Sequence, residues 1–442
     1  MKSTYYYEQD IVGKMLNLLS SQAGLINDIT IKKCVMDKKN ITHGNIPNCY
    51  ISSITTNITK NLGMNLGGSG ASISKNRSII KAIGEFIERY CALENSNITN
   101  YDSIKSLDSK NIEYIDIREF IHFSDDQYQE DNFPFKKYNS EDNIYWVDGY
   151  NVTNKCNVFI PAQKVYLNYR TDKEEYSYDT KLSTGLACGD SLENALLSGL
   201  YECIERDAFY LTWSCKLPGK KIILNNIKDY NLKKLIDILD MSSCGTLHIV
   251  DISLDTSVYT MLTVLENKSG VGISVAAASN LNPELAILKS LEELVLTYSG
   301  TVNIYENKFN SKYPDIYKED ILDLDDHIYY YMNPNNNKAL EFITRNENYI
   351  NSNDLKNNSL GNASDNLELI VNELNKLGAQ VIYKDITNEE INQLGFSVVK
   401  VLSTKLGNID VMYSARHLGT KRMLDIINYD NSKVNIEPHP FP

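Results

Sequence analysis

Two short segments carry the chemistry this chain could do. They are Glu85-Phe86-Ile87-Glu88-Arg89 and Glu202-Cys203-Ile204-Glu205-Arg206, both of the form E-x-x-E-R. On a helix, a spacing of three puts the two carboxylates of each segment on one side, roughly 60° apart. Taken singly, each is an ordinary solvated helix face with an arginine to balance it. Facing each other across a cleft, the two would bring Glu85, Glu88, Glu202 and Glu205 together, and such a cluster is tolerable only if cations neutralise it. Hard divalent cations, held by carboxylate oxygens with their remaining positions on phosphates, are the natural answer. The doubled motif therefore reads either as two unrelated surface faces or as a site for Mg2+ and a nucleoside triphosphate.

The elements that must position these residues are legible around them. Residues 79–93 read as a helix with Ile79, Ile83, Phe86, Ile87 and Tyr90 on its apolar face, and residues 191–213 as a second with Leu196, Leu197, Leu200, Ile204 and Leu211. In both, the glutamates lie roughly opposite the apolar centre. Each helix follows a glycine-containing segment, Gly67-Gly68-Ser69-Gly70 and Ser183-Thr184-Gly185-Leu186-Ala187-Cys188-Gly189-Asp190. Glycines there let backbone N–H groups approach a ligand at the positive end of a helix. Asp190 with Glu193 also reads as a capping box, which excludes no nearby phosphate. Neither segment is a Walker A loop, since no G-K-[ST] follows, and kinase signatures are absent. A third helix is expected from Pro283 to Tyr298, with proline in its first turn, and a fourth over 367–377. Strands are expected over 158–169, 249–264, 271–278, 379–385 and 396–402. Residues 1–60 read as a polar, Asn-rich lead-in and 61–442 as the main domain. Within it, 305–365 read as an insertion or surface excursion, with Asn333-Pro334-Asn335-Asn336-Asn337 and the acidic run 323–326.

Bulk properties bound the class. A chain of 442 residues, 42% hydrophobic and 23% charged, is long enough for one large α/β body of mixed α+β type, with sheets flanked by helices. A net charge of −13 argues against nucleic acid and against anionic lipid as partners. No stretch has the length and apolarity of a bilayer span, and residues 1–10 are not of signal-peptide type, so a cytoplasmic, soluble protein is expected. The eight cysteines include no C-x-x-C pair and the six histidines no H-E-x-x-H, which leaves neither a disulfide framework nor a zinc site. The segment Pro438-His439-Pro440-Phe441-Pro442 is stiff and extended, so it loses little entropy on being placed in a pocket. Its plain alternative is a proline-rich tail without a role.

Together these motifs resemble the YcaO family. Gly70-Ala71-Ser72 followed by Ala82-Ile83-Gly84-Glu85-Phe86-Ile87-Glu88-Arg89-Tyr90 is similar to the family's first ATP-site helix. Residues 184–190 running into Glu202-Cys203-Ile204-Glu205-Arg206-Asp207-Ala208 are similar to its second. Residues 282–295, centred on Glu293, resemble the later family helix, and residues 385–387 with 396–402 the following strand pair. The terminal P-x-P-x-P resembles the azoline-forming cyclodehydratases, in particular the stand-alone D protein of thiazole/oxazole-modified peptide systems of the streptolysin-S type.

The resemblance implies an ATP cleft between the two E-x-x-E-R helices and an ATP- and Mg2+-dependent reaction. A Cys, Ser or Thr side chain of a ribosomal precursor peptide attacks the preceding amide, the amide oxygen is phosphorylated, and phosphate leaves to give a thiazoline or oxazoline. It implies Glu85, Glu88, Glu202 and Glu205 as Mg2+ ligands. Ser72, Lys81, Ala187 (through its backbone), Asp190, Asn194, Arg206 and Glu293 would line the nucleotide, and Arg206 with the Pro442 carboxylate would sit beside the reacting peptide. The sequence departs from the family pattern at Ser69, Lys81, Thr184, Asn194, Leu296 and Tyr298. The implied partners are the precursor peptide, an E1-like leader-binding C protein, for which this chain carries no domain, and a flavin-dependent dehydrogenase; a homodimer stays open. Two other readings stand beside this one: a non-catalytic scaffold that binds precursor or partner, and a YcaO enzyme that uses another nucleophile for thioamidation or amidine formation.

Overall fold

The computed structural model describes residues 2–22, 24–34, 49–56, 66–93, 98, 100–168, 173, 175–225, 227, 229–241, 245–267 and 271–441. Its architecture is mixed α/β, with three sheets joined by a few long helices. A three-stranded antiparallel sheet runs Asp28–Cys34, Cys49–Thr55, Ser69–Ser72 in spatial order. A five-stranded sheet has the order Ile273–Asn280, Tyr259–Asn267, Gly245–Asp251, Lys220–Ile223, Tyr349–Asn351, and its last pair is parallel. The third sheet has the order Asn100–Asp102, Ile144–Asn151, Val381–Asp385, Ser397–Ser403, Leu186–Gly189, with Cys156–Pro161 also paired on Ile144–Asn151.

The two motif helices run Lys75–Cys91 and Leu192–Ser214. Each begins at a serine N-cap whose hydroxyl accepts a backbone hydrogen bond from the first turn: Ser74 from Arg77 at 3.3 Å and Ser191 from Asn194 at 3.2 Å. Counting from these caps, the glutamates fall at the same two positions in both helices, eleven and fourteen residues on. Equal phase from equal starts is what makes the two carboxylate pairs comparable in space.

The first helix buries Ile79, Ala82, Ile83, Phe86 and Ile87 against the three-stranded sheet, and also touches the Leu186–Gly189 strand of the third sheet. The second helix is buried almost all round, because it lies between Ser397–Ser403 on one side and Ile273–Asn280 on the other. The expected 158–169 strand is shorter, ending at Pro161 where a short helix, Ala162–Val165, takes over. The stretch 249–264 is two antiparallel strands, with the chain turning between Asp251 and Tyr259. The third helix runs on from Pro283 to Asn307, two and a half turns beyond the expected end.

The glycine segments have a structural role that differs from the expectation. Residues Ser69–Ser72 form a strand. A Cβ on Gly68 would lie 2.1 Å from the Ala82 oxygen, and one on Gly70 would lie 2.4 Å from the Lys81 Cβ. Gly185, at φ +83°, would put a Cβ 2.0 Å from the Val401 oxygen. These glycines let strand and helix backbones approach each other, which brings the chain entering each helix close to that helix's own glutamates.

Residues 305–365 are not a surface excursion in their packing. They hold the helix Leu324–Met332 and the strand Tyr349–Asn351, and they bury Tyr331, Met332, Leu340 and Ile343. The weak periodicity of this stretch reflects short elements rather than exposure. Residues 1–60 likewise contribute structure, as the helix Lys2–Met15 and two of the three strands of the first sheet.

Candidate active site

The two E-x-x-E-R helices meet. Glu85, Glu88, Glu202 and Arg206 line one cleft together with Arg89 and with Glu293 of the Pro283–Asn307 helix, and the cavity is about 500 Å3, within the size range of small-molecule sites.

The first glutamate of each motif is held the same way. Glu85 Oε2 accepts from the Ser69 backbone N–H at 2.6 Å, and Glu85 Oε1 lies 2.6 Å from the Arg89 guanidinium. Glu202 Oε2 accepts from the Gly185 N–H at 3.0 Å, and Glu202 Oε1 lies 3.5 Å from Arg206. In both cases the amide belongs to the segment entering the helix, and the arginine sits one turn further along. Arg89 also donates to the Gly67 carbonyl at 2.9 Å. Glu88 crosses between the two units, accepting from the Cys188 N–H at 2.8 Å.

Burial, reinforced by neighbouring acids, raises the proton affinity of Glu88, Glu205 and Glu293. Burial pushes Glu88 well above the usual carboxylate range, with Glu202 and Glu85 adding to the rise while the Cys188 hydrogen bond and Arg89 oppose it. Burial pushes Glu205 up to about 8; Arg206 opposes this and Glu202 and Glu293 add to it. Glu293 is also raised, by desolvation from the surrounding protein first and by Glu85, with Lys81 opposing. An array of acids in this state stores an unmet demand for positive charge.

The donor side is also incomplete. Arg206 Nε and Nη1 are buried and have no hydrogen-bond partner. Among the described residues no three His, Cys, Asp or Glu side chains close into a ready-made metal cage. Mg2+ is commonly held by one or two carboxylates plus phosphate oxygens and water rather than by an all-protein cage. Unpartnered guanidinium donors beside proton-loving carboxylates therefore fit a magnesium-bound polyphosphate.

Residues 438–441 are buried and reach this site. The Phe441 ring lies 4.5 Å from the Arg206 guanidinium carbon and 4.7 Å from the Phe209 ring. His439 stacks on His327 at 3.9 Å and meets the Asp410 carbonyl at 2.6 Å, while the Tyr331 hydroxyl donates to the Pro438 carbonyl at 2.6 Å. Burial and each other's proximity lower the proton affinity of His439. Pro442 lies outside the described residues.

Other expected site residues lie elsewhere. Ser72 and Lys81 converge on Glu292, at 2.6 Å and 2.9 Å, in a buried network behind the cleft wall. Burial alone would raise Glu292, but Lys81, Arg77 and the Ser72 hydrogen bond outweigh it and hold the carboxyl below the usual range. Ala187 is a buried strand residue paired with Val399. Asp190 and Asn194 are exposed and bonded to each other at 2.7 Å, and the Tyr7 hydroxyl also donates to Asp190.

Glu292 and Lys400 were not anticipated. Lys400 is buried, donates to the Leu182 carbonyl at 2.6 Å and is pulled down to about 8 by burial, with Glu202 opposing. A lone lysine at an inward strand position, in the run Ser397-Val398-Val399-Lys400-Val401-Leu402, was the signal for it.

Comparison with known proteins agrees with this architecture. A heterocyclase solved in complex with substrate and cofactor superposes with a TM-score of 0.76 at 19% identity, covering 98% of this chain and 57% of that chain. YcaO from Methanopyrus kandleri, solved bound with AMPPCP and Mg2+, superposes with a TM-score of 0.64 at 16% identity, covering 98% and 96%. A chain of the E. coli microcin synthetase McbBCD complex gives 0.60 at 18% identity, covering 92% and 96%. An uncharacterized protein of Methanothermobacter thermautotrophicus is 25% identical over 154 residues, 34% of this chain and 40% of the relative. The chain thus spans less than two thirds of that relative and of the heterocyclase. The family model described as YcaO cyclodehydratase, ATP- and Mg2+-binding, matches residues 69–406, and with that match, over most of its length, the chain belongs to the YcaO family.

Proposed function

We propose that this protein is an ATP- and Mg2+-dependent cyclodehydratase that converts Cys, Ser or Thr residues of a ribosomal precursor peptide to thiazolines or oxazolines. The observation that carries this reading is the convergence of Glu85, Glu88, Glu202 and Glu293 in one cleft with Arg206, whose buried Nε and Nη1 have no hydrogen-bond partner. When bound, magnesium ATP supplies the phosphoryl group that turns the precursor's amide oxygen into a leaving group.

The chain's own residues supply position and charge. Glu85, Glu88, Glu202 and Glu205 hold the metal ions around the triphosphate. Arg206 offers two free donors to phosphate oxygens, and its guanidinium is fixed from behind by Phe441. Glu293 completes the acidic wall. The buried Lys81–Glu292–Ser72 network orients the Pro283–Asn307 helix beside the Lys75–Cys91 helix, and Asp190 with Asn194 would meet the outer part of the nucleotide. A leader-binding partner of the E1-like type would deliver the precursor, and a flavin-dependent dehydrogenase would act on the product. The resemblance of residues 438–442 to the streptolysin-S type favours azoline formation over thioamidation.

The test is mass spectrometry of a candidate precursor incubated with the protein, a leader-binding partner, ATP and Mg2+. Loss of one water per ring, matched by phosphate release, is expected. ATP binding with no loss of water from the peptide would leave the protein a scaffold; a sulfide-dependent mass gain would make it a thioamidating enzyme.

A further inference from the structure

Lys400 is a buried charge that the proposed chemistry does not use. It is 2% exposed in the strand Ser397–Ser403, between Val399 and Val401, which are wholly buried. An apolar side chain would fit such a position at no electrostatic cost, whereas an ammonium taken out of water is costly unless it is paired. Among the described residues Lys400 makes no ion pair, and its hydrogen bond goes to the Leu182 carbonyl at 2.6 Å.

The segment that it holds is a partition. Leu182 and Thr184 line the carboxylate cleft on one side. On the other they line a separate polar cavity of about 70 Å3, shared with Lys164, Asp179, Lys400 and Asn408. That cavity has room for water, so the partition has space to retreat. Side chains pin it at intervals: Asp179 pairs with Lys164, Leu182 is held by Lys400, and the Thr184 hydroxyl donates to Asn408 Oδ1 at 3.0 Å. Immediately after Leu182 comes a tight turn, closed by the Leu186 N–H donating to the Ser183 carbonyl at 2.8 Å, with Gly185 in the left-handed conformation at φ +83°. The Gly185 N–H is the donor that holds Glu202, at 3.0 Å. A shift of Leu182 is therefore passed through one turn to a carboxylate of the cleft.

We propose that Lys400 is a positioning residue for the metal site: by clamping the Leu182 carbonyl it fixes the Ser183–Leu186 turn, which keeps the Gly185 amide on Glu202. The inference rests on the assignment of Glu202 as a metal ligand. The ammonium also places a positive charge behind Glu202, and the two roles make opposite demands. As a neutralising charge, Lys400 weakens the attraction of the cleft for a cation, so its removal would tighten Mg2+ binding. As a clamp, its removal frees the turn and the orientation of Glu202, so Mg2+ binding weakens. The geometry favours the clamp, because the ammonium bonds the carbonyl and not the carboxylate.

Lys400→Met nearly keeps the length of the side chain and removes both charge and donor. Lys400→Arg keeps both, with the polar cavity beside it to take the larger head. Lys400→Gln, too short to reach Leu182, is the second neutral variant should the methionine protein not fold. AMPPCP is titrated by calorimetry into each protein at a series of fixed free Mg2+ concentrations, which gives the Mg2+ needed for half-maximal affinity. Amide hydrogen exchange of residues 182–186 is followed in ligand-free protein. The neutral variants should need at least tenfold more Mg2+ and exchange at least tenfold faster over 182–186, with the Leu192–Ser214 helix unchanged, while Lys400→Arg stays within about threefold of native in both. An unchanged or lower Mg2+ requirement in the neutral variants, or faster exchange spread over the whole chain with Mg2+ affinity intact, overturns the clamp. Native protein that binds AMPPCP without any dependence on Mg2+ would instead overturn the reading on which the inference rests.

Discussion

Glu205 gives the sharpest test of the site's electrostatics. Its carboxyl is raised from an ordinary 4.5 to about 8, so the folded protein holds a proton there that the unfolded chain has released over that interval. The folded state binds more protons, and stability therefore falls as pH rises from about 4.5 through about 8. The full linkage over that interval is roughly 5 kcal/mol. Glu205 is half-buried and is not among the residues that line the cleft; its partial exposure and the adjacent Arg206 reduce the figure, and about 2 kcal/mol is expected. For a chain of 442 residues, an unfolding entropy of ~2.1 cal/mol/K per residue makes 1 kcal/mol worth about 1 °C in Tm. Glu205→Gln keeps the shape of the protonated acid and removes its titration. In thermal unfolding of ligand-free protein, the variant should match the native protein within about 1 °C at pH 5, where both are neutral, and exceed it by about 2 °C at pH 9. AMPPCP with Mg2+ should reverse the order at pH 9, because the variant lacks the charge that the cation needs. A Tm difference that is the same at pH 5 and pH 9 would refute the argument.

Other perturbations probe neighbouring parts. Glu85→Ala should abolish precursor dehydration while Tm stays within a few degrees of native, since its backbone contact is at the edge of the cleft. Arg206→Met should raise the KM for ATP at least tenfold, read from steady-state phosphate release. Phe441→Ala removes a buried ring and should destabilise by about 3–5 kcal/mol, with a fall in ATP affinity measured by calorimetry because Arg206 loses its support. Gly185→Ala should lower Tm by several degrees, because its positive φ and the close Val401 oxygen leave no room for a methyl group; wild-type Tm there would show that the strand can shift freely.

The fold and the site were legible to different depths. The helices expected over 79–93, 191–213 and 283–298 are present, as 75–91, 192–214 and 283–307, because amphipathic period and capping agree over several turns. The meeting of Glu85 and Glu202 was legible only as one of two alternatives. A solvated face and a cleft face have the same sequence pattern, and what separates them is the sheet pairing of residues 69–72 and 186–189. The segment 305–365 was misread because its elements are too short to show a period, although Tyr331 and Met332 are deep in the core. Glu292 escaped notice beside Glu293: adjacent helical positions point about 100° apart, so one acid enters the buried network and the other the cleft. Residues 438–441 are buried, and Phe441 rather than a proline makes the contact with Arg206, which the stiffness of the proline-rich stretch did not indicate.

The backbone tethers on the glutamates also bear on which cation the protein prefers. Glu85, Glu88 and Glu202 each commit one oxygen to a main-chain amide, of Ser69, Cys188 and Gly185. The second oxygen of Glu85 faces Arg89 at 2.6 Å and that of Glu202 faces Arg206 at 3.5 Å, so a cation would share each with an arginine, and two-oxygen chelation would be disfavoured. Calcium draws much of its affinity from bidentate carboxylates, whereas the smaller ion accepts single oxygens at octahedral corners. Denticity fixed by the fold, rather than the amount of negative charge, would then set the preference for magnesium.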